Sequence, residues 1–329
     1  MTVADGRIVA TGSGRPPGHS EDLGGGLIAP GFLDLQINGD GDCDFATAPV
    51  DAIIDAVDRL GRSGVTGLLL TVCTSPLEEY PRILARLAAV RDHRPAAVLG
   101  VHLEGPFLGG APGAHPLADI RPVDRAFVDA LAADPTGLVR MVTLAPEADL
   151  DRYAVRVLSR AGIRVALGHS TATFDAARAA VDAGATLATH CFNGMGALHH
   201  REPGLVGAAL TDPRLVPTLI ADGIHVHPVL VAMVLRLRPD AVVVSDAVRS
   251  DATRLSDGTL AGSDVDLPAA WARLVAAGVP PARAVRSVTA NPARALGLSD
   301  RGRIVPGARA DLVLIDPETS AVRRVASAG

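Results

Sequence analysis

Glu104, His169, His190 and Asp246 each stand at the end of a short apolar run, and all four are residue types that bind metal or move protons. Gln36 and Asn38 close the run Phe32–Ile37, and His225 follows the run 217–221. One carboxylate and two imidazoles, Glu104, His169 and His190, are the ligand class of a catalytic zinc or similar divalent ion that keeps an open position for water. Asp246, on another run, is a carboxylate that can take a proton from such a water and return it to a leaving group. A single histidine after a strand is more often a hydrogen-bonded structural residue than a ligand. Three histidines and two carboxylates at five strand ends are harder to read that way, because ionisable groups collected at one buried place are costly without a cation.

Such residues converge only if the runs that carry them lie side by side. Eight runs rich in Val, Ile and Leu are expected to be strands: 32–37, 67–72, 98–103, 140–144, 164–167, 186–189, 217–221 and 241–244. Segments of helical period alternate with them at 51–62, 77–90, 124–132, 149–161, 173–183 and 228–237, followed by 268–277, 281–288 and 291–296. Strands and helices in strict alternation predict an α/β fold with a parallel sheet, and eight such units can close into a (β/α)8 barrel. In a barrel the reacting groups sit at the carboxyl ends of the strands, where these residues fall. The ends of the chain differ from its middle. DGRIV at 5–9, RGRIV at 301–305 and ADLVLI at 310–315 read as strand and turn, so residues 1–29 and 301–329 are expected to pair as a small β subdomain beside a catalytic barrel at 30–300.

The 329 residues exceed the ~250 that a barrel needs. The net charge of −5 gives no reason to expect nucleic acid or an anionic membrane as partner. The start, MTVADGRIVATG, lacks the basic and apolar regions of a signal peptide, and no apolar segment reaches ~18 residues, so a cytoplasmic protein is expected. Cys43, Cys73 and Cys191 are too few and too scattered for a disulfide framework or a cysteine-rich zinc site, and are read as reduced thiols. All 31 basic residues are arginine. That excludes any mechanism needing a lysine, whether as Schiff base, phosphate anchor or carboxylated metal bridge.

The strings APGFLDLQINGDG, VHLEGPFL, ALGHSTAT, THCFNGMGALHHREPGLVGAAL, LIADGIHVHP, VSDAV, GTLAGS and NPARALGL occur here in the order found in the N-acetylglucosamine-6-phosphate deacetylases of the amidohydrolase superfamily, which the chain resembles from about residue 5 to 315. HLEGPF and HHREPG are the more specific of these strings. The resemblance implies that Glu104, His169 and His190 hold the metal and that Asp246 is the general base and acid. It implies that His115, beside Ala114 in GAH, holds the acetyl carbonyl, and that Asn193 and Gly194 contact the sugar phosphate, the family more often having Ala at the second place. His225 and Leu260, Ala261 and Gly262 then line the sugar site, and Arg201 reaches the phosphate across a homodimer interface.

Many amidohydrolases bind a second metal through His-x-His at the end of the first strand, where this chain has Gln36 and Asn38. Amides are poor zinc ligands, so one divalent ion per chain is expected, with zinc first and iron or another divalent ion as alternatives. The implied reaction is hydrolysis of the acetamide of N-acetylglucosamine 6-phosphate, with deacetylation of a related N-acetylhexosamine phosphate, such as N-acetylgalactosamine 6-phosphate, or of another N-acyl compound as the alternative. Only VRSDATRLSD separates Asp246–Ala247 from GTLAGS, and the N-terminal region begins late, so the β subdomain is expected to be trimmed. That trimming motivates a reading from another class, an inactive metal-binding barrel with a binding or regulatory role.

Overall fold

All eight apolar runs become parallel strands in the computed structural model, which describes residues 1–14, 20–316, 318–326 and 328. They are β1 (Phe32–Ile37), β2 (Val65–Cys73), β3 (Val98–Glu104), β4 (Val139–Leu144), β5 (Arg164–Leu167), β6 (Leu187–Ala188), β7 (Val216–Ile220) and β8 (Val242–Val244), hydrogen-bonded to one another in chain order. The barrel closes between its last and first strands. The Asp246 amide donates to the Gln36 carbonyl at 2.9 Å, Ile37 bridges Ala247, and the buried Asp34 carboxylate accepts the Ser245 amide at 3.2 Å.

The helices that come after the strands are α1 (Val50–Ser63), α2 (Tyr80–His93), α3 (Arg125–Ala133), α4 (Tyr153–Arg160), α5 (Phe174–Ala183), α6 (Gly204–Thr211), α7 (Pro228–Leu237) and α8 (Leu267–Ala276), with α9 (Pro281–Val288) and α10 (Ala290–Ala295) closing the series. The expected helices recur with shifts at their ends. Residues 77–79 form a separate 3-10 turn before α2, and α4 begins four residues later than periodicity suggests. There Asp149 stays in the loop and its carboxylate accepts the amides of Ala154 and Val155, capping the helix from outside. Helix α6 is not among the expected segments. Residues 204–210 are all buried, so it has no polar face and hence no amphipathic signal to read.

Alternation along the strands divides the interior in two. Residues such as Val101, Leu144, Leu167, Leu219 and Val243 face the helices, whereas Leu35, Leu69, Met141, Ala166, Leu187, Ile220 and Val244 fill the barrel itself, with Leu296 packed against them. Each large side chain among them contributes ~1.5–3 kcal/mol by leaving water. Between this apolar filling and the open end runs a buried polar belt. Thr71 Oγ1 lies 3.4 Å from His102 Nδ1, His102 Nε2 is 2.7 Å from Thr143 Oγ1, and that hydroxyl is 2.7 Å from Thr189 Oγ1. Burial pushes His102 down to about 4, so it is a neutral member of this belt.

At the ends of the chain, Thr2–Ala4 pairs with Arg7–Ala10, and Leu27–Pro30 pairs with Leu312–Ile315, which pairs in turn with Val322–Ala326. The Ile8 amide donates to the Ala308 carbonyl and the Ala310 amide to the Gly6 carbonyl, both at 2.8 Å. Residues 15–19, 317, 327 and 329, which fall within the ranges 1–29 and 301–329, lie outside the described residues. One expectation fails: RGRIV at 301–305 is a series of bends, not a strand. Arg301 is buried beneath the barrel, where its guanidinium donates to the Ala96 carbonyl at 2.7 Å, so a tertiary contact overrides the local likeness to DGRIV.

Candidate active site

Strands β5, β6 and β8 each present a polar residue two places beyond their last paired residue: His169 after Leu167, His190 after Ala188 and Asp246 after Val244. All three have left-handed backbones, with φ of 48°, 29° and 49°. Non-glycine residues rarely adopt this conformation, which costs of order 1–3 kcal/mol and persists only where the surroundings enforce it. Glu104 needs no such turn, being the last residue of β3.

The ligand atoms meet closely. Glu104 Oε1 lies 3.0 Å from His169 Nε2 and 2.9 Å from His190 Nε2, and the two Nε2 atoms are 3.1 Å apart. A tetrahedral ion with ~2.0 Å bonds has ligand–ligand edges of about 3.3 Å, so the trio is close to the size of a zinc site. The tautomers fit as well. His169 Nδ1 faces the Ala111 carbonyl at 3.2 Å and His190 Nδ1 faces the Asn193 carbonyl at 3.1 Å. A carbonyl only accepts, so each Nδ1 carries the proton and each Nε2 offers its lone pair to a cation. Burial opposes ionisation of Glu104, but the neighbouring His169 and His190 favour it more strongly, so the carboxyl lies well below the usual range.

Gln36 and Asn38 are occupied as donors. Gln36 Nε2 donates to Glu104 Oε1 at 2.9 Å and to Asp246 Oδ1 at 3.0 Å, and Asn38 Nδ2 donates to the same Asp246 oxygen at 3.0 Å. Burial, then the charge of Glu104, pushes Asp246 up to about 7. His115 comes from the loop after β3, with Nε2 3.9 Å from Glu104 Oε2. Burial, then His169, pushes its pKa down to about 3, so the ring is neutral at neutral pH. The Thr74 amide donates to its Nδ1 at 3.3 Å, which leaves the proton on Nε2 and makes that atom a donor. Cys73 Sγ, Glu104 and His115 form a second group of ligand types within 4.8 Å. The Nε2 proton of His115 leaves that group one lone pair short.

These residues lie in a cleft of about 450 Å³ at the carboxyl end of the barrel, lined also by Ala114, Asn193, Gly194, His225, Leu260, Ala261 and Gly262. Gly194, at φ 55°, lies so close to His169 that an added Cβ would come within 2.8 Å of its Nδ1. A larger cavity of about 690 Å³ lies beneath the barrel, away from all of these groups. Arg201 does not line the cleft: it is exposed on the loop before α6, with Nη1 2.9 Å from His200 Nε2. Two further residues are not singled out by the sequence reading. Asp222 occupies the position two beyond β7, ahead of the expected His225, and holds Nδ1 of His225 at 2.6 Å. Glu147 stands behind the cleft on the turn after β4. The regular offset beyond strands could have pointed to Asp222, because it is shared with His169, His190 and Asp246.

The amidohydrolase family profile matches residues 27–328. The chain belongs to the amidohydrolase family. Among curated family members, the N-acetylgalactosamine-6-phosphate deacetylase of Escherichia coli O157:H7 is 36% identical, the match covering 96% of this chain and 90% of that protein. The N-acetylglucosamine-6-phosphate deacetylase of Mus musculus is 38% identical over 92% of this chain and 82% of its own length. Among solved amidohydrolase structures, a variant of the Mycobacterium smegmatis N-acetyl-D-glucosamine-6-phosphate deacetylase in complex with N-acetyl-D-glucosamine-6-phosphate superimposes with a TM-score of 0.92 at 35% identity, covering 99% of this chain and 92% of that one. The Thermotoga maritima N-acetylglucosamine-6-phosphate deacetylase superimposes at 0.88 and 30%, covering 100% and 93%. No helix among the described residues is long and apolar enough to cross a membrane.

Proposed function

We propose that this amidohydrolase hydrolyses the acetamide of N-acetylglucosamine 6-phosphate to acetate and glucosamine 6-phosphate. The observation that carries the reading is Asp246 set beside the Glu104–His169–His190 trio at the mouth of a barrel that matches, over 99% of this chain, a deacetylase seen with that sugar phosphate. The trio suits one divalent ion per chain, and we take zinc as the ion, iron being the alternative. When bound, such an ion supplies Lewis acidity, lowering the pKa of a water to ~7 and polarising the acyl oxygen. Asp246 removes the proton of the attacking water and passes it to the departing nitrogen, a task suited to a carboxylate that Gln36 and Asn38 hold beside the trio. His115 donates its Nε2–H to the acyl oxygen as negative charge develops there. No serine or cysteine nucleophile is required.

On the same reading Asn193, Gly194, His225, Ala114 and Leu260–Gly262 contact the sugar phosphate, and Arg201 grips the phosphate of the partner's substrate in a homodimer. Two observations support a dimer: Arg201 is exposed outside its own cleft, and α7 presents Val229, Leu230, Met233 and Leu237 to solvent as an apolar stripe. We assign residues 30–300 to the catalytic barrel and residues 1–29 and 301–329 to a small β subdomain, and we place the enzyme in the cytoplasm. The Escherichia coli relative favours a second reading, the galactosamine epimer as substrate. Acetate release across N-acetylglucosamine and N-acetylgalactosamine, each with and without the 6-phosphate, tests both readings. Release from none of the four by metal-loaded protein would leave the inactive-barrel reading.

A further inference from the structure

Seven of the eight barrel strands, or the loops that succeed them, contribute side chains or backbone to the lining of the cleft, and β4 contributes none. The turn after β4 instead carries Glu147, half-buried in a single 3-10 turn over Pro146–Ala148. Its carboxylate faces the back of the loops that build the site. Glu147 Oε1 accepts the Gly110 amide at 3.0 Å and the Thr171 amide at 2.8 Å, while Oε2 accepts the Ser170 hydroxyl at 2.5 Å. Gly110 belongs to the loop after β3, and Ser170 and Thr171 to the loop after β5. Ser170 extends the connection to the loop after β6, because its amide donates to the Gly194 carbonyl at 2.9 Å. One carboxylate thus ties together the three loops that carry His115, His169 and the 193–194 pair.

The sequence around this contact is fitted to it. A Cβ on Gly109 would come within 2.2 Å of Glu147 Oε1, and one on Gly110 within 2.4 Å of the Thr171 hydroxyl. The adjacent glycines let the chain lie directly on the carboxylate. Immediately beyond them, Ala111 offers the carbonyl that sets the His169 tautomer, and the loop then delivers His115 to the far side of Glu104. Three donors on one carboxylate are also among the stronger hydrogen-bonding arrangements available to a loop.

We propose that Glu147 is a positioning residue for the hydrolysis: it holds the 109–115 loop against the loop after β5, and so fixes both the His115 donor and the orientation of the metal ligand His169. The inference rests on the proposed reaction for its kinetic arm and on the proposed metal for its retention arm, and its hydrogen-exchange arm rests on neither. In Glu147→Ala the loop keeps the Gly109 amide bond to the His169 carbonyl at 2.8 Å but loses its tie to the turn after β4, so His115 is held less firmly for the transition state. kcat falls about 10- to 100-fold while KM changes much less, and the metal is stripped by a chelator at about 10- to 100-fold lower concentration, the range seen when groups supporting metal ligands are removed. Glu147→Gln keeps an oxygen for both amides and offers its NH2 to the Ser170 oxygen, so it recovers most of each loss.

The test compares wild type, Ala, Gln and Asp at position 147, as metal-loaded protein. It measures kcat and KM, metal retention against a chelator, and hydrogen exchange of the 109–115 and 170–172 amides. The expected result is faster exchange of both segments and easier stripping in the Ala variant, with recovery in Gln. If Ala does not fold, the Gln and Asp pair decides. Asp keeps the charge but is one methylene too short to reach both loops, and is expected to be more impaired than Gln. Unchanged exchange in Ala, or Asp normal where Gln is defective, overturns the proposal. If exchange and metal retention respond as expected but no substrate is turned over by the wild type, the failure belongs to the reading of the reaction and not to Glu147.

Discussion

Each of His115, His169 and His190 has its tautomer set by a backbone group. The Ala111 and Asn193 carbonyls leave the two ligand histidines with free Nε2 lone pairs, and the Thr74 amide does the reverse to His115. These assignments separate roles that composition cannot separate. His169→Ala or His190→Ala is expected to lower the metal content of purified protein, whereas Asp246→Asn retains the metal and loses about 10²–10⁴-fold in turnover. The amide introduced by Asp246→Asn would still offer an oxygen to Gln36 and Asn38, so the trio stays in place. Metal analysis alongside acetate release separates these outcomes, and near-normal turnover in Asp246→Asn would remove Asp246 from the role of base. Because amides are poor zinc ligands and Gln36 and Asn38 offer no imidazole for a second ion, metal analysis is further expected to find about one tightly held ion per chain.

At the level of the strands, the seam between β8 and β1 carries a buried carboxyl that takes no direct part in the site. Asp34 accepts amide donors from Gln36 and Ser245 through Oδ1, while its buried Oδ2 meets no donor among the described residues. Burial pushes its pKa up to about 7. The unfolded chain releases this proton near pH 4, so the stability Asp34 contributes is fully present below about pH 4 and is lost as pH rises through about 7. Asp34→Asn, which stays neutral, should therefore gain in melting temperature relative to wild type as pH rises from about 4 to 7, the gap levelling off above about 7. A gap independent of pH across that range would show that Asp34 is not protonated in the folded protein.

At the level of the whole molecule, Arg201 stands outside the cleft of its own chain, whereas Arg249 lines it. A guanidinium grips phosphate through paired hydrogen bonds, and two-fold symmetry lets each chain lend the residue to the other. Arg201→Ala is expected to impair use of the phosphorylated sugar far more than that of the plain sugar. Mixing inactive Arg201→Ala and Asp246→Asn chains under conditions that exchange subunits should restore roughly a quarter of all sites, because each mixed dimer holds one intact and one doubly defective site. A mixture that stays inactive after verified exchange would mean that Arg201 acts within its own chain or has no part in the reaction.

Residue pattern was enough for the barrel and for the identity of its ligand-type residues. Short apolar runs alternating with helical periods admit few other arrangements, and the polar residues that end those runs can gather only at one mouth. The pattern fails where local spelling and environment part. Helix α6 is buried on every side and so shows no period, and RGRIV obeys the burial of Arg301 instead of its own strand-like spelling. Folding in three dimensions was needed to settle which nitrogen of each histidine is free, that Asp222 stands behind His225, and that Glu147 joins loops whose residues lie 24 and 37 positions away along the chain. Most of these are hydrogen bonds between groups distant in sequence, and their directions depend on backbone carbonyls and amides that nearly every residue carries alike, so no pattern of side chains can announce them.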